Sequence, residues 1–291
     1  MSAHSVTPPP TSWLVRGRER IRELIHYRYL LHNLVVRDLK VRYKNSILGV
    51  AWSMLNPLLM MVVFSLVFGV LSPNRAIRDY PVFFLVGLLP WNFFSGSLMG
   101  GTVSFGSNAN LIKKVYFPRE LLPLGIVLSN LVNFLIAFLV LIVFLYASGL
   151  GLTFNALWVP ILLLIQIIFT MGLSLLLGSL YVFFRDIVMI LDVVMLAWFF
   201  LTPIIYPLEQ LGSERTIAGV TFVPAVVMRW LNPMASIIDG YRTVLWGTMG
   251  SNGAAAMDPA YILRTAATAL VTLVVGYAVF ARTQYLFGEK L

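Results

Sequence analysis

The chain has 291 residues, 59% of them hydrophobic and only 11% charged. A soluble domain carries about 45–50% apolar and about 25% charged residues, so this composition excludes an ordinary soluble globular protein. The formal net charge of +9 does not point to nucleic acid, because the basic residues border apolar runs and form no stripe with exposed aromatics.

Residues 1–15 include Thr7-Pro8-Pro9-Pro10-Thr11 and read as a disordered, Pro-rich start without a cleavable secretory signal. Residues 16–46 form a basic segment. Within it Leu24, Tyr27, Leu31 and Leu34, with neighbouring Leu30 and Val35, recur at helical spacing, while Arg22, Arg37 and Lys40 take the opposite face. This pattern predicts an amphipathic helix in the membrane interface, its apolar side in lipid. A simple anchor would show the same pattern.

Residues 47–291 read as an all-α transmembrane domain. A helix rises about 1.5 Å per residue and the hydrocarbon core is about 30 Å thick, so about 20 apolar residues make a span. Six runs qualify: Val50–Leu71, Val82–Phe105, Leu121–Ala147, Leu157–Phe183, Ile187–Tyr206 and Tyr261–Ala281. The 54-residue segment from Pro207 to Ala260 holds two apolar pieces, Ile217–Leu231 and Met234–Met249, broken by Pro224, Arg229, Asn232-Pro233, Asp239 and Arg242. Each is too short and polar to span, which predicts two interfacial or re-entrant helices between the fifth and sixth spans. Counting one of them as a span would move the C-terminus to the other side.

Orientation follows from Lys and Arg. Nine precede the first span, from Arg16 to Lys44; Lys113, Lys114 and Arg119 follow the second, Arg185 the fourth, and Arg282 and Lys290 the sixth. The alternate loops are poor in them, Arg75 and Arg78 being the pair after the first span. The positive-inside rule therefore puts both termini in the cytoplasm.

The chemistry is sparse. Without cysteine there are no disulfides or thiol sites, and no Gly-Lys dipeptide exists to build a phosphate-cradling P-loop. The histidines, His4, His26 and His32, all precede the first span. No metal site and no catalytic residues are expected, and a membrane-embedded glycan-modifying enzyme would need a histidine or carboxylate pair that is absent. Asp192 is the acid well inside a span. It is either a proton-relay candidate or a group close enough to the interface to pair with a base or reach water. Asn56, Asn92, Asn130, Asn133 and Gln166 suit hydrogen bonds between helices, and Gly96 and Gly100 suit close helix approach. Trp52 and the Trp91, Phe93, Phe94 group fit interfacial belts. The deeper cluster of Trp198, Phe199 and Phe200 serves either helix packing or the lining of a conduit in which rings stack on sugars.

At Arg37-Asp38-Leu39-Lys40-Val41-Arg42-Tyr43-Lys44-Asn45-Ser46, then Leu48-Gly49 and Trp52 through Asn56-Pro57, the chain resembles a known family. That family is the membrane (permease) subunits of ABC exporters that carry O-antigens, teichoic acids and other cell-surface polysaccharides. The likeness continues at Leu111-Ile112-Lys113-Lys114-Val115-Tyr116-Phe117-Pro118-Arg119-Glu120, and at Arg185-Asp186, Pro203 to Tyr206, Asn232-Pro233 and Gly240-Tyr241-Arg242.

The resemblance implies a subunit of the bacterial inner membrane that pairs with a second copy of itself and with two cytoplasmic ATP-binding chains. ATP and Mg would be held by those chains, with no cofactor on this one. It further implies a coupling helix near residues 110–120, with Lys113, Lys114, Phe117, Arg119 and Glu120 as contacts, and outer gate helices near 217–249. The implied cargo is a polyprenyl-diphosphate-linked glycan, whose headgroup would suit Arg37, Lys40, Arg42 or Lys44. Topology alone also explains those four. A drug or lipid exporter permease is the alternative within transport, and the first motif block disfavours it.

Overall fold

The computed structural model describes residues 22–44, 46–71, 77–217, 220–251 and 253–291. The Pro-rich start, residues 16–21 of the expected interface helix, Asn45 and Arg75 lie outside the described residues.

After a helical stretch at 22–26 come α1 (Arg28–Tyr43), α2 (Trp52–Ser65), α3 (Tyr80–Ser107), α4 (Ala109–Lys114), α5 (Leu121–Ala147), α6 (Val159–Phe183) and α7 (Ile187–Phe200). A two-stranded antiparallel ribbon, β1 (Arg215–Ile217) and β2 (Val220–Phe222), precedes α8 (Pro224–Leu231), α9 (Pro233–Leu245), α10 (Pro259–Thr283) and α11 (Phe287–Lys290). Among the described residues five helical stretches are long and apolar enough to cross a membrane: Gly49–Phe68, Tyr80–Ser107, Leu121–Ala147, Phe154–Phe183 and Pro259–Lys290. The chain is a multi-pass, almost wholly helical membrane protein.

The central helix is α3. In its most apolar stretch 78% of residues are buried, against 11% for α2, which lies at the margin. Small residues bring neighbours close to it. A Cβ at Gly100 would come 2.7 Å from the Ile126 side chain of α5, so the Gly96/Gly100 pair serves packing within the chain. Pro90 sits inside α3, and Gln166 of α6 donates a 2.7 Å hydrogen bond to its carbonyl.

Two apolar clusters hold the bundle, the main core around α3 and a smaller one at one end. Leu34, Phe105, Ile112, Phe117, Leu121, Val182, Phe280 and Phe287 share one, which gathers α1, the end of α3, the start of α5 and the ends of α6 and α10. The N-terminal helix and the C-terminal end of the chain thus lie at one end of the bundle. The stripe expected to face lipid is directed differently. Leu24, Tyr27, Leu30 and Leu31 pack, partly buried, beside Leu34 in this cluster, to which the ends of α3, α5 and α10 bring apolar surface.

Two other expectations are corrected. The fifth run stops as a helix at Phe200, after 14 residues, and turns through Leu201–Tyr206. Pro203 supplies no N–H and disfavours helical geometry at the residue before it, which hydropathy does not register. Helix was also expected from Ile217 onward. Arg215-Thr216-Ile217 pairs instead with Val220-Thr221-Phe222, sequences rich in β-branched residues, and helix begins only at Pro224 in the first turn of α8.

Candidate functional site

A cleft of about 630 Å³ opens between α1, α2, α3 and α5. Each helix contributes polar side chains: Arg42 and Tyr43 from α1, Ser53 and Asn56 from α2, Asn92 and Ser95 from α3, Asn130 and Asn133 from α5. Asn130 and Asn133 share a face of α5 because they are one turn apart. Gly96 leaves room for the first, since a Cβ there would lie 3.2 Å from its Oδ1. The rings of Trp52, Phe93 and Phe134 complete the walls.

The last turns of α1 clasp this cleft. Tyr43 donates its hydroxyl to Asn133 Oδ1 at 2.7 Å, and Arg42 donates Nη1 to Asn130 Oδ1 at 2.8 Å. Arg42 also pairs with Asp38 one turn earlier at 3.2 Å, and Ser129 donates its hydroxyl to the same carboxylate. Side-chain amides carry both donors and acceptors, so these walls can receive hydroxyl-rich ligands as well as each other.

The four headgroup candidates separate. Lys40 and Lys44 are exposed, Arg37 donates to Asn108 Oδ1 at 2.7 Å, and Arg42 is turned into the cleft. Arg42 therefore stands apart from the other three, which follow one another along α1 and its C-cap residue at i, i+3 and i+7.

At the end of the bundle that holds both the N-terminal helix and the C-terminus, a second groove of about 510 Å³ runs between residues 112–119 and the chain at Ala281, Gln284 and Tyr285. Lys113 and Lys114 project freely from α4. Phe117 is 5% exposed and Glu120 4%, so of the five expected contacts these two face inward. The reason is the apolar cluster: Phe117 fills it, and the adjacent turn carries Glu120 inside with Leu121. Arg119 lies half-buried with its guanidinium carbon 5.8 Å from the centroid of the Phe287 ring. Burial lowers its pKa from the usual value, with Glu120 opposing. Val115 is exposed, and the exposed group that residue type alone passed over is Tyr116 beside it, 84% exposed. The Lys-Lys-Val-Tyr order, ahead of the buried Phe-Pro step, is the signal for Tyr116 in the sequence.

Among the conduit candidates, Trp198 is a packing residue. Its ring meets Phe94 edge-on at 5.1 Å and its Nε1 donates to Asn232 Oδ1 at 2.8 Å. Phe199 packs edge-on against Trp91 at 5.7 Å, while Phe200 is 54% exposed. Asp192 is exposed on α7.

At the opposite end, Asn232 caps α9 and donates Nδ2 to the Leu201 carbonyl and the Thr202 hydroxyl, tying α7 to α9. Arg229 pairs with Asp239 at 2.7 Å. Burial alone would lower the Arg229 pKa, but Asp239, with Tyr261 beside it, raises it overall.

Comparison with known proteins agrees with this architecture. The O-antigen export system permease protein RfbA of Myxococcus xanthus is 35% identical over 271 residues, covering 93% of this chain and 98% of that protein. Two proteins of the same name from Klebsiella pneumoniae are each 34% identical over 267 residues, covering 90% of this chain and 96% of theirs. Residues 29–246 match the family described as ABC-2 type transporter, a match that takes in α1 through α9, and the chain belongs to that family.

Proposed function

We propose that this chain is the transmembrane subunit of an ATP-driven exporter that moves a polyprenyl-diphosphate-linked polysaccharide from the cytoplasmic side across the bacterial inner membrane. The observation that carries the reading is the near full-length similarity to O-antigen export permeases. Energy comes from two separate ATP-binding chains, which hold ATP and Mg, and two copies of this chain form the conduit. The marginal position of α2 and the exposed apolar face of α7, including Met189, Val193 and Phe200, support that pairing. In it, Phe199 and Phe200 are the rings available to a conduit.

Six spans and two cytoplasmic termini fit the contacts at the two ends of the bundle. The span added to the five long ones is the fifth in chain order, α7, whose 14 residues reach about 21 Å at 1.5 Å each. Irregular backbone at membrane depth is tolerated only where protein satisfies its polar groups. The turn after α7 meets that condition, since Arg242 donates to the carbonyls of Pro203, Ile204 and Tyr206. On this reading α8 and α9 are the outer gate helices, and residues 109–120 couple to the ATPase through Lys113, Lys114 and Tyr116.

The test is deletion of the gene in its host. Surface polysaccharide should disappear and its lipid-linked form accumulate inside, with both reversed by the intact gene. Unchanged surface polysaccharide with no internal accumulation would end this reading.

A further inference from the structure

We infer that the cleft between α1, α2, α3 and α5 is a subsite for the hydroxyl-bearing sugar portion of the cargo and not for its diphosphate. This rests on the export function proposed above and assigns one part of the cargo to one place in the chain.

Charge decides first. Among the described residues Arg42 is the one charged residue lining the cleft, and Asp38 neutralises it at 3.2 Å. One of its terminal nitrogens is also committed to Asn130. A diphosphate needs surplus cations and a fork of free donors. Lys40 and Lys44, which are exposed, stand outside the walls.

Hydrogen-bond type decides second. The walls offer Asn56, Asn92, Asn130 and Asn133, each with an acceptor oxygen and a donor amide. An ionised phosphate only accepts, so it can use the amide N–H groups alone and cannot take the place of Arg42 or Tyr43 on the amide oxygens. A sugar hydroxyl both donates and accepts, so it can use the amide oxygens as well as the amide N–H groups, although Asn130 Nδ2 already donates to the Ile126 carbonyl at 3.0 Å.

The clasp supplies the exchange. When a sugar enters, hydroxyls can take the places of Tyr43 on Asn133 and Arg42 on Asn130, so that no amide is left without a partner. Trp52, half-exposed at the mouth, gives an apolar ring for a sugar face. The volume lies within the range of about 300–1,000 Å³ usual for small-molecule sites.

The experiment uses the absence of native cysteine. Ser53→Cys and Ser95→Cys each place a thiol in the cleft wall with minimal change, and a wild-type thermal unfolding temperature of each purified variant verifies folding. Labelling by a membrane-permeable maleimide is then followed in cells whose partner ATPase is arrested by substitution. Three backgrounds are compared: no lipid-linked cargo, the lipid diphosphate with its first sugar only, and the full glycan. Labelling should slow several-fold with the full glycan alone. Equal protection by the one-sugar lipid diphosphate would overturn the assignment in favour of headgroup binding. Unprotected thiols in cells shown by extraction to have trapped the full glycan would overturn the subsite and leave the export function standing. Failure of glycan to accumulate in arrested cells would overturn the export function itself, and the subsite with it.

Discussion

The guanidinium carbon of Arg242 lies 3.7 Å from the centroid of the Phe83 ring, so a cation of α9 is seated on an aromatic of α3. The same side chain is 3% exposed and donates to the carbonyls of Pro203, Ile204 and Tyr206. One residue therefore joins the central helix, the turn after α7 and the α9 helix. A guanidinium satisfies several carbonyls at once because its donors are fixed in a planar fork. Replacing it by an apolar side chain leaves buried acceptors unpaired, at about 1–3 kcal/mol for each.

The first prediction follows from this seat. Arg242→Leu should destabilise the purified protein by on the order of 3 kcal/mol, seen as a clear drop in thermal unfolding temperature and monodisperse yield. Arg242→Lys keeps the charge but not the fork, and its loss should be intermediate. Wild-type stability in the leucine variant would mean that the turn holds without its donor.

A second prediction concerns the tightest helix contact. A Cβ at Gly276 of α10 would fall on the carbonyl oxygen of Gly172 in α6, and a Cβ at Gly172 would stand 2.6 Å from the Leu273 nitrogen. Backbone lies on both sides, so no side chain can swing away. Gly276→Ala should cost about 1–3 kcal/mol by forcing the helices apart. Gly250→Ala, where nothing lies within 4 Å, should leave thermal stability unchanged. Comparable behaviour of the two variants would contradict the packing.

How much of this was readable in the sequence differs by feature. The long spans were, because continuous apolar length is nearly sufficient to specify a membrane helix. The end of α7 was not, because Leu201 and Ile204–Tyr206 are as apolar as the helix before them, and the turn depends on Pro203 and on a distant arginine. Asn130 and Asn133 were recognisable as polar groups in a span. Their convergence with Asn56, Asn92 and Tyr43 depends on how four helices pack, which no local pattern encodes. The basic residues of α1 show the same limit. Arg37, Lys40, Arg42 and Lys44 look like one cluster in sequence, yet Asp38 draws Arg42 inward at i,i+4 while Lys40 and Lys44 face out.

Topology gives the third prediction. Ser213 lies exposed beyond α7, while Ser107 and Glu289 are exposed at the end of the bundle that holds α1. In intact cells a single cysteine at Ser213 should react with a membrane-impermeant maleimide. Cysteines at Ser107 and Glu289 should react only after permeabilisation. Labelling of Glu289→Cys from outside would show that one of the short helices crosses fully and that the C-terminus faces away from the cytoplasm.

The proposed coupling region supports the last prediction, and the burial of its residues decides which changes are informative. Exchanging Lys114 with Glu120 would place a lysine where the side chain is 4% exposed, so a loss of activity would report on folding. The exposed residues avoid that ambiguity. Lys113, Lys114 and Tyr116 extend from α4 and the loop after it, and Tyr285 faces them across the groove. Interfaces favour aromatic anchors in such settings, with charges that set register and encounter rate more than affinity. Tyr116→Ala and Lys114→Glu should therefore leave membrane insertion and thermal stability at wild-type levels while reducing stimulation of the partner ATPase. Phe117→Ala should behave in the opposite way, losing about 3–5 kcal/mol of stability through the cavity it opens beneath Phe105 and Phe287. The two classes separate docking from packing in one set of assays. If Tyr116→Ala and Lys114→Glu both assemble with the ATPase and stimulate it fully, the docking surface lies elsewhere on this end of the bundle.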